Sequence, residues 1–579
     1  MARLFLTDRP GALRQARALW RAAGLREGVA LEGETLGAAA ALKRAIDDEN
    51  ALVMASDRWI IGVGTYFTEA GADGRQALGE VLGRLDDADP RPARGHLIGH
   101  YALAARLGRR VLAMTDAAGT HDLFLRRGGD GIRVASFLSD LLDPDDAGAI
   151  DEIDALRAAY LGERGLAGQA IVPGVEALRG HQWLEGDLSA PGAARWTLRG
   201  AASRAGTRPW RDAAAALDAF DRETRRVFDA LARTGPVAIN ATGGLDSRLT
   251  MAATRRSGAD MRLLYGRGDS RMTNTRPEDL AVARAAAALW DCPLTLMDWR
   301  QRVPHDAAAR RGLQARYGFR QPYGGTSGVI AAMEGAEEPC PRMQLGGYNP
   351  AFTNLKPWAT PDPDHGIEAL AAVAAKDAVR VCAAPGTDPG LARETIRRTA
   401  LDLRRLAEES DIEVGPGDRV ARAGAVRLLI RVREAKEAFN LQAFNQFCYY
   451  LAPFYTSDLY AMLLAVPPDW RAGDAFQLRA IALAAPEALD LPIFSGVRSF
   501  QLDRAAMTMV PMRPGLAARL RLRVEAAMRR DRTRSFRAAL HVALRRGPAG
   551  RLDADVLTRE DLRVVYRFLT AREIAAQAV

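Results

Sequence analysis

At 579 residues, 48% of them hydrophobic, the chain is too long for one core and is expected to fold as two to four domains. No uninterrupted apolar stretch reaches the roughly 20 residues a membrane helix needs, and Met1 to Asp8 shows no signal-peptide pattern, so no membrane partner is expected and the cytoplasm is the default location. The formal charge of +9 sets 80 Lys and Arg against 71 Asp and Glu, a near balance in an Arg- and Ala-rich chain, and points to no nucleic-acid partner.

Residues 1 to about 200 mix strand and helix patterns. Trp59–Phe67 reads as a strand, and a helix follows near Ala77–Leu85. Tyr101–Ala105 is apolar, Leu107-Gly108-Arg109-Arg110 makes a turn, and Val111–Asp116 is a strand. Leu123–Arg126 and Ile132–Ser136 flank a Gly128-Gly129-Asp130-Gly131 turn, where glycine tolerates the positive φ of a tight hairpin. Around Leu198–Trp210 the chain turns rich in Gly, Ser, Arg and Pro, which places a boundary between domains at 1–205 and 206–579.

A long amphipathic helix, Ala213–Leu231, opens the second unit. Strand and helix then alternate: strand Val237–Ala241, helix Ser247–Arg256, strand Met261–Gly266, helix Pro277–Trp290, strand Leu294–Asp298. Short links between alternating elements imply a parallel, doubly wound sheet, so the fold class is α/β. Residues 301–579 read as mostly helical, with a weakly patterned stretch at Ala359–Pro416. The late basic cluster, Arg519–Val524 with Arg529–Arg532, reads as the solvated face of helices, with a binding surface as the alternative. Cys292, Cys340, Cys382 and Cys448 lie far apart with no C-x-x-C pair, and read as buried or incidental thiols in a reducing compartment, not as disulfides or zinc ligands.

The sharpest chemical signal is Val237-Ala-Ile-Asn-Ala-Thr242-Gly243-Gly244-Leu245-Asp246-Ser247-Arg248. A buried strand ends, two glycines follow, and a helix starts at once. Such a loop lets backbone N–H groups approach an oxyanion, and the helix N-terminus adds about half a positive charge. Thr242 and Ser247 offer hydroxyls, and Asp246 is placed to hold a cation bridging phosphate oxygens. No Gly-Lys-Ser/Thr follows the glycines, so this is not a Walker loop, and the spacing is not that of a dinucleotide fold. The same residues would also suit a plain capped strand–helix turn, or a nucleotide-binding loop without chemistry.

The loop resembles the S-G-G-x-D-S pyrophosphate loop of the ATP pyrophosphatase group, with Thr242 keeping the hydroxyl of the first Ser. That resemblance implies ATP and Mg²⁺ as cofactors, Asp246 as the metal ligand, and Tyr265-Gly266 as backbone contacts to adenine. Glu278–Arg284 is similar to the helix that follows this strand in asparagine synthetases. Upstream, Gly99–Ala104, Leu112–Asp116, Gly119, Leu123-Phe124, Gly129-Asp130-Gly131 and Ala135-Ser136 resemble class II glutamine amidotransferase domains. Downstream, Ala452–Asp458, Val466-Pro467-Pro468 and Gln477-Leu-Arg479 resemble further asparagine synthetase segments. The resemblance thus implies an N-terminal α+β Ntn-type sandwich, then an ATP pyrophosphatase domain with a helical C-terminal part.

Three departures redirect the expected activity. In that family the glutaminase nucleophile is a cysteine at the processed N-terminus; here the second residue is Ala2 and no cysteine precedes Cys292, so glutamine hydrolysis is not expected. The state resembles β-lactam synthetases and lasso-peptide cyclases, where a substrate amine captures the acyl-adenylate. Second, Met343–Asn349 lacks the family's acidic loop; Tyr348, oriented by Glu434 or Glu437, is a candidate base, or else a packed aromatic beside a glycine turn. Third, the family's late lysine has no match, and Arg498 is the candidate cation, or an ordinary surface residue.

The expected function is therefore an AMP-forming amide ligase joining a small-molecule or peptide carboxylate to an amine acceptor, with a peptide-delivery partner as an option. An ammonia-dependent asparagine synthetase and a non-catalytic nucleotide-binding scaffold are the alternatives.

Overall fold

The computed structural model describes residues 2–44, 46, 50–85, 89–143, 146, 153, 157, 164–166, 168–170, 172–190, 195–200, 209–267, 277–298, 341–347, 366–375, 389–414, 419–471, 474–495 and 498–512. The chain is mixed α/β with four sheets among these residues, one of them parallel. The predicted boundary near residue 205 falls in a stretch outside the described residues, as does the basic cluster at 519–532.

The N-terminal part contains two six-stranded antiparallel sheets. The first holds β1 (Arg3–Thr7), β2 (Glu27–Glu32), β3 (Gly37–Ala41), β8 (Phe124–Gly128), β9 (Gly131–Ala135) and β10 (Val175–Ala177) in the order β10-β8-β9-β1-β3-β2. The second holds β4 (Ala51–Ala55), β5 (Arg58–Phe67), β6 (Ile98–Leu107), β7 (Arg110–Thr115), β11 (Trp183–Asp187) and β12 (Trp196–Arg199) in the order β12-β11-β7-β6-β5-β4.

Side-chain alternation sorts each strand between two cores. Leu4, Leu6, Ala38 and Ala40 of the first sheet meet Trp59, Ile61, Val63, Ala102, Ala104 and Ala113 of the second, which is the contact between sheets. On its other face the first sheet turns Phe5, Ala39 and Ala41 toward α1 (Ala12–Ala22), through Leu13, Ala16 and Trp20. The second sheet turns Ile60, Tyr66, Leu103 and Leu112 toward α2 (Gly74–Leu82). Because both faces of each sheet are covered, the inner strands read as near-continuous apolar runs, which hides their period of two. The expected hairpin is present: β8 and β9 pair with Gly128 opposite Gly131, leaving Gly129-Asp130 as a two-residue turn.

The second unit follows the alternation read from sequence. α3 (Ala213–Arg233) leads to β13 (Val237–Asn240), α4 (Leu245–Arg256), β14 (Met261–Arg267), α5 (Pro277–Trp290) and β15 (Leu294–Asp298). Asp212 caps α3, its carboxylate accepting from the N–H groups of Ala214 and Ala215. The sheet is completed by two strands that periodicity did not reveal, β16 (Met343–Leu345) and β17 (Tyr449–Leu451). At three residues each, they are too short to show a pattern.

The C-terminal part is mostly but not wholly helical. It contains α6 (Ile367–Ala374), α7 (Pro389–Glu409), α8 (Arg419–Phe444), α9 (Ser457–Leu464) and α10 (Ala475–Ala484). It also contains a small antiparallel sheet of β18 (Ile493–Ser495), β19 (Arg498–Asp503) and β20 (Thr508–Pro511), which the reading of this part as mostly helical did not single out. Among the described residues no helix is long and apolar enough to cross a membrane.

Candidate functional site

All pairings in the sheet of β13 to β17 are parallel, so its strands end at one edge. Their order is β15-β14-β13-β16-β17. From β13 the chain builds outward through β14 to β15, and β16 and β17 lie on the opposite side. Strand order therefore reverses between β13 and β16, the point at which the loops of open α/β sheets part to form a crevice beyond the C-terminal ends of the strands. Open α/β sheets bind ligands at that place. Thr242–Ser247 leaves β13 there, and Gly346-Gly347 leaves β16 there.

The first loop is tied together by its own hydroxyls. Thr242 Oγ1 and Ser247 Oγ lie 2.7 Å apart, and Ser247 Oγ is also 3.0 Å from the Thr242 carbonyl oxygen. The Thr242 N–H donates to Ser247 Oγ at 3.3 Å. α4 begins at Leu245, two residues earlier than expected, with Gly244 as N-cap and no side chain capping the helix. Asp246 sits in the first turn, half-buried, and its Oδ1 accepts from Gln477 Nε2 of α10 at 2.7 Å.

The two glycines do different work. The Gly243 N–H donates to the buried Asp279 carboxylate at 2.8 Å, and its carbonyl accepts from the Phe494 N–H of β18 at 3.0 Å. A Cβ on Gly243 would lie 2.8 Å from Phe494 Cβ and 3.0 Å from Asp279 Oδ1, too close on both sides. A Cβ on Gly244 would meet only Thr242 Oγ1, at 3.7 Å, so Gly244 presents the open side of the loop. Across the crevice, a Cβ on Gly347 would come within 2.9 Å of the Ser247 nitrogen, and one on Gly346 would overlap the Tyr450 hydroxyl. Gly347 is therefore there for close approach of the two loops, and Gly346 for the Tyr450 side chain of β17.

Behind the loop, Arg248 is fully buried and donates to the carbonyls of Ala488 (3.2 Å), Leu491 (2.8 Å) and Pro492 (2.5 Å). Burial lowers its pKa to about 10, which leaves it charged at neutral pH. It fixes the segment that leads into β18, and β18 in turn holds Gly243.

Thr242, Gly243, Gly244, Asp246 and Ser247 are thus brought together as read from sequence. Tyr265 and Gly266 are buried near the C-terminal end of β14, the strand next to β13. Tyr348 lies outside the described residues, directly after Gly347. Glu434 and Glu437 fall on α8 and Arg498 opens β19 opposite Ser495, but the side chains of all three lie outside the described residues. Sequence reading missed Asp279 and Gln477 as partners of the loop. Asp279 had entered only as part of Glu278–Arg284, the segment similar to the asparagine synthetase helix, and nothing local announces a bond to Gly243, 36 positions away.

Asp246 supplies a carboxylate with one oxygen accepting from Gln477, and among the described residues no group of three His, Cys, Asp or Glu could hold a metal ion. Among the described residues neither Cys292 nor Cys448 is in a disulfide, and Cys448 Sγ donates to Gln344 Oε1 at 3.7 Å; Cys340 and Cys382 lie outside the described residues.

No family model and no curated protein matches the chain. Among solved structures, it is similar to a glutamine phosphoribosylpyrophosphate amidotransferase from B. subtilis complexed with ADP and GMP, at 9% identity and a TM-score of 0.23, over 53% of this chain and 70% of that one. A score that low does not establish a shared fold.

Proposed function

We propose that this chain is an ATP-dependent, AMP-forming amide ligase in which an asparagine synthetase-like core works beside a glutaminase-type sandwich that has no thiol. One observation carries the reading: a Gly-Gly turn runs into an uncapped helix N-terminus at the point where the strand order of a parallel sheet reverses. The open side of Gly244, the Thr242 and Ser247 hydroxyls and the first-turn N–H groups of α4 provide donors for a leaving pyrophosphate.

In this reading a substrate carboxylate oxygen attacks the α-phosphorus of ATP, and the bond to the β-phosphate oxygen breaks. An amine nitrogen then attacks the acyl carbon, the bond to AMP breaks, and the amine gives up a proton. Mg²⁺, held by Asp246 and the phosphates, would supply charge neutralisation. Asp279 and Phe494 hold Gly243 in place, and Gln477 orients Asp246. The acceptor is an amine on a small molecule or peptide, with a delivery protein where the substrate is a peptide.

A nucleotide-binding scaffold without turnover is the second reading. The Asp279 carboxylate favours it, because it takes the Gly243 N–H that would otherwise face a phosphate. The two separate in one assay. The full chain with ATP, Mg²⁺ and panels of carboxylates and amines is expected to release pyrophosphate, and Asp246→Ala to lower that rate by about a hundredfold or more. L-aspartate with ammonia tests the asparagine synthetase alternative. ATP binding with no pyrophosphate under any combination would leave the scaffold.

A further inference from the structure

β17 is the outer strand of the parallel sheet among the described residues, and three residues of pairing hold a strand weakly. Side chains supply the rest of the grip. Asn445, buried just beyond α8, donates from Nδ2 to the Tyr450 carbonyl at 3.0 Å and to the Leu441 carbonyl at 3.1 Å. Its Oδ1 accepts from the Tyr450 N–H at 3.2 Å. One amide thus offers a donor and an acceptor to a single strand residue, as a neighbouring strand would.

The other side of that amide is held by the N-terminal sandwich. Asn445 Oδ1 accepts from the Thr65 hydroxyl of β5 and from Lys43 Nζ at 3.4 Å, and Lys43 also donates to the Asn445 carbonyl. A second tie grips the end of the strand, where His100 Nε2 of β6 lies 3.0 Å from the Ala452 nitrogen and 3.1 Å from its carbonyl oxygen, while Nδ1 lies 2.5 Å from Thr120 Oγ1. The Thr120 hydroxyl donates to buried Asp116 at 2.9 Å.

The strand so held reaches the crevice through Tyr450. Its ring stacks on Phe444 with centroids 4.5 Å apart, its hydroxyl fills the space above Gly346, and Asn240 Nδ2 donates to that hydroxyl at 3.4 Å. Asn240 Oδ1 accepts from Gln344 Nε2 of β16 at 2.8 Å. Asn240 is the last residue of β13 before the Thr242–Ser247 loop. A continuous path of hydrogen bonds runs from Thr65 and Lys43 through Asn445 and Tyr450 to both strands that flank the crevice.

We propose that the sandwich serves as a positioning device for the candidate site: Thr65 and Lys43 fix Asn445, which sets Tyr450 and with it the spacing of the loops after β13 and β16. Asn445 and Thr65 are positioning residues in this scheme. It deepens the ligase reading, and rests on it only for its kinetic consequence, by giving a role to a sandwich that has no thiol.

The test is hydrogen exchange on the full chain, with Thr65→Val removing the hydroxyl at nearly constant shape and Thr65→Ser restoring it. Loss of one buried hydrogen bond is expected to speed exchange by about tenfold at residues 449–451 and also at 242–247, with Thr65→Ser close to wild type. Lys43→Met, which keeps the apolar stem, is expected to act in the same direction. Faster exchange confined to the neighbourhood of residues 65 and 445, with 242–247 within twofold of wild type in both variants, would overturn the proposal. Where pyrophosphate release is detected, Thr65→Val should raise KM for ATP more than it lowers kcat, with rescue by Thr65→Ser. A chain that shows the exchange pattern but never releases pyrophosphate would refute the ligase reading and keep this one.

Discussion

His121 is enclosed in the N-terminal sandwich beside Gly64, and its Nε2 is buried without a hydrogen-bond partner. Burial pushes its pKa down to about 3, against a smaller upward pull from Asp122, and His100 is lowered to about 3 by the same cause. Both rings are neutral in the folded protein across the range where an unfolded chain would bind protons, between about 3 and 6.5. The unfolded state therefore holds more protons in that window, so the stabilisation is complete above about 6.5 and is lost as pH falls toward 3. Each histidine contributes a slope of about 1.4 kcal/mol per pH unit inside the window. His121→Leu is expected to remove one histidine's share, making the urea midpoint fall less steeply from pH 6.5 to 4.5. An unchanged slope would mean that this imidazole is already charged, or open to water, in the fold.

At the scale of elements, a strand–turn–helix unit has one glycine for packing and another for access. Gly243 is enclosed by Phe494 and Asp279, Gly347 touches the Ser247 backbone, and Gly244 faces open space at a φ of −77° that any residue adopts. Gly243→Ala and Gly347→Ala are each expected to cost about 1–3 kcal/mol in chemical denaturation, as overpacking does. Gly244→Ala is expected to stay within about 1 kcal/mol of wild type while still blocking a ligand that approaches the loop closely. Equal costs at all three positions would contradict this division.

For the whole molecule, the important fact is that the core does not stop at the sandwich. Phe67, Ile98 and Ala118, which belong to the sandwich, are buried in the same apolar cluster as Ile239, Leu345, Phe454 and Leu459. Around them Gln442 donates to the Ser136 carbonyl at 2.6 Å, Tyr449 donates to Asn50 at 3.3 Å, and Arg342 pairs with Asp73 at 2.8 Å. Separation would strand buried polar groups and expose aromatics together, both costly. Calorimetry of the full chain is expected to show one cooperative transition spanning both parts, and residues 209–579 expressed alone to be far more sensitive to protease. Two well-resolved transitions would show that the parts are independent.

Amino-acid order alone determined what depends on neighbours in the chain. The alternation from Ala213 to Asp298, the Gly129-Asp130 hairpin turn and the Thr242–Ser247 loop were legible because strand period, helix period and glycine turns are local properties. Tertiary structure alone decided what depends on distant partners. Three-residue strands such as β16 and β17 have no period to read, and they exist because the sheet supplies their hydrogen bonds. The engagement of Gly243 by Asp279, of Asp246 by Gln477 and of Asn445 by Thr65 follows from the same cause, since each bond joins groups that only the folded chain brings within reach.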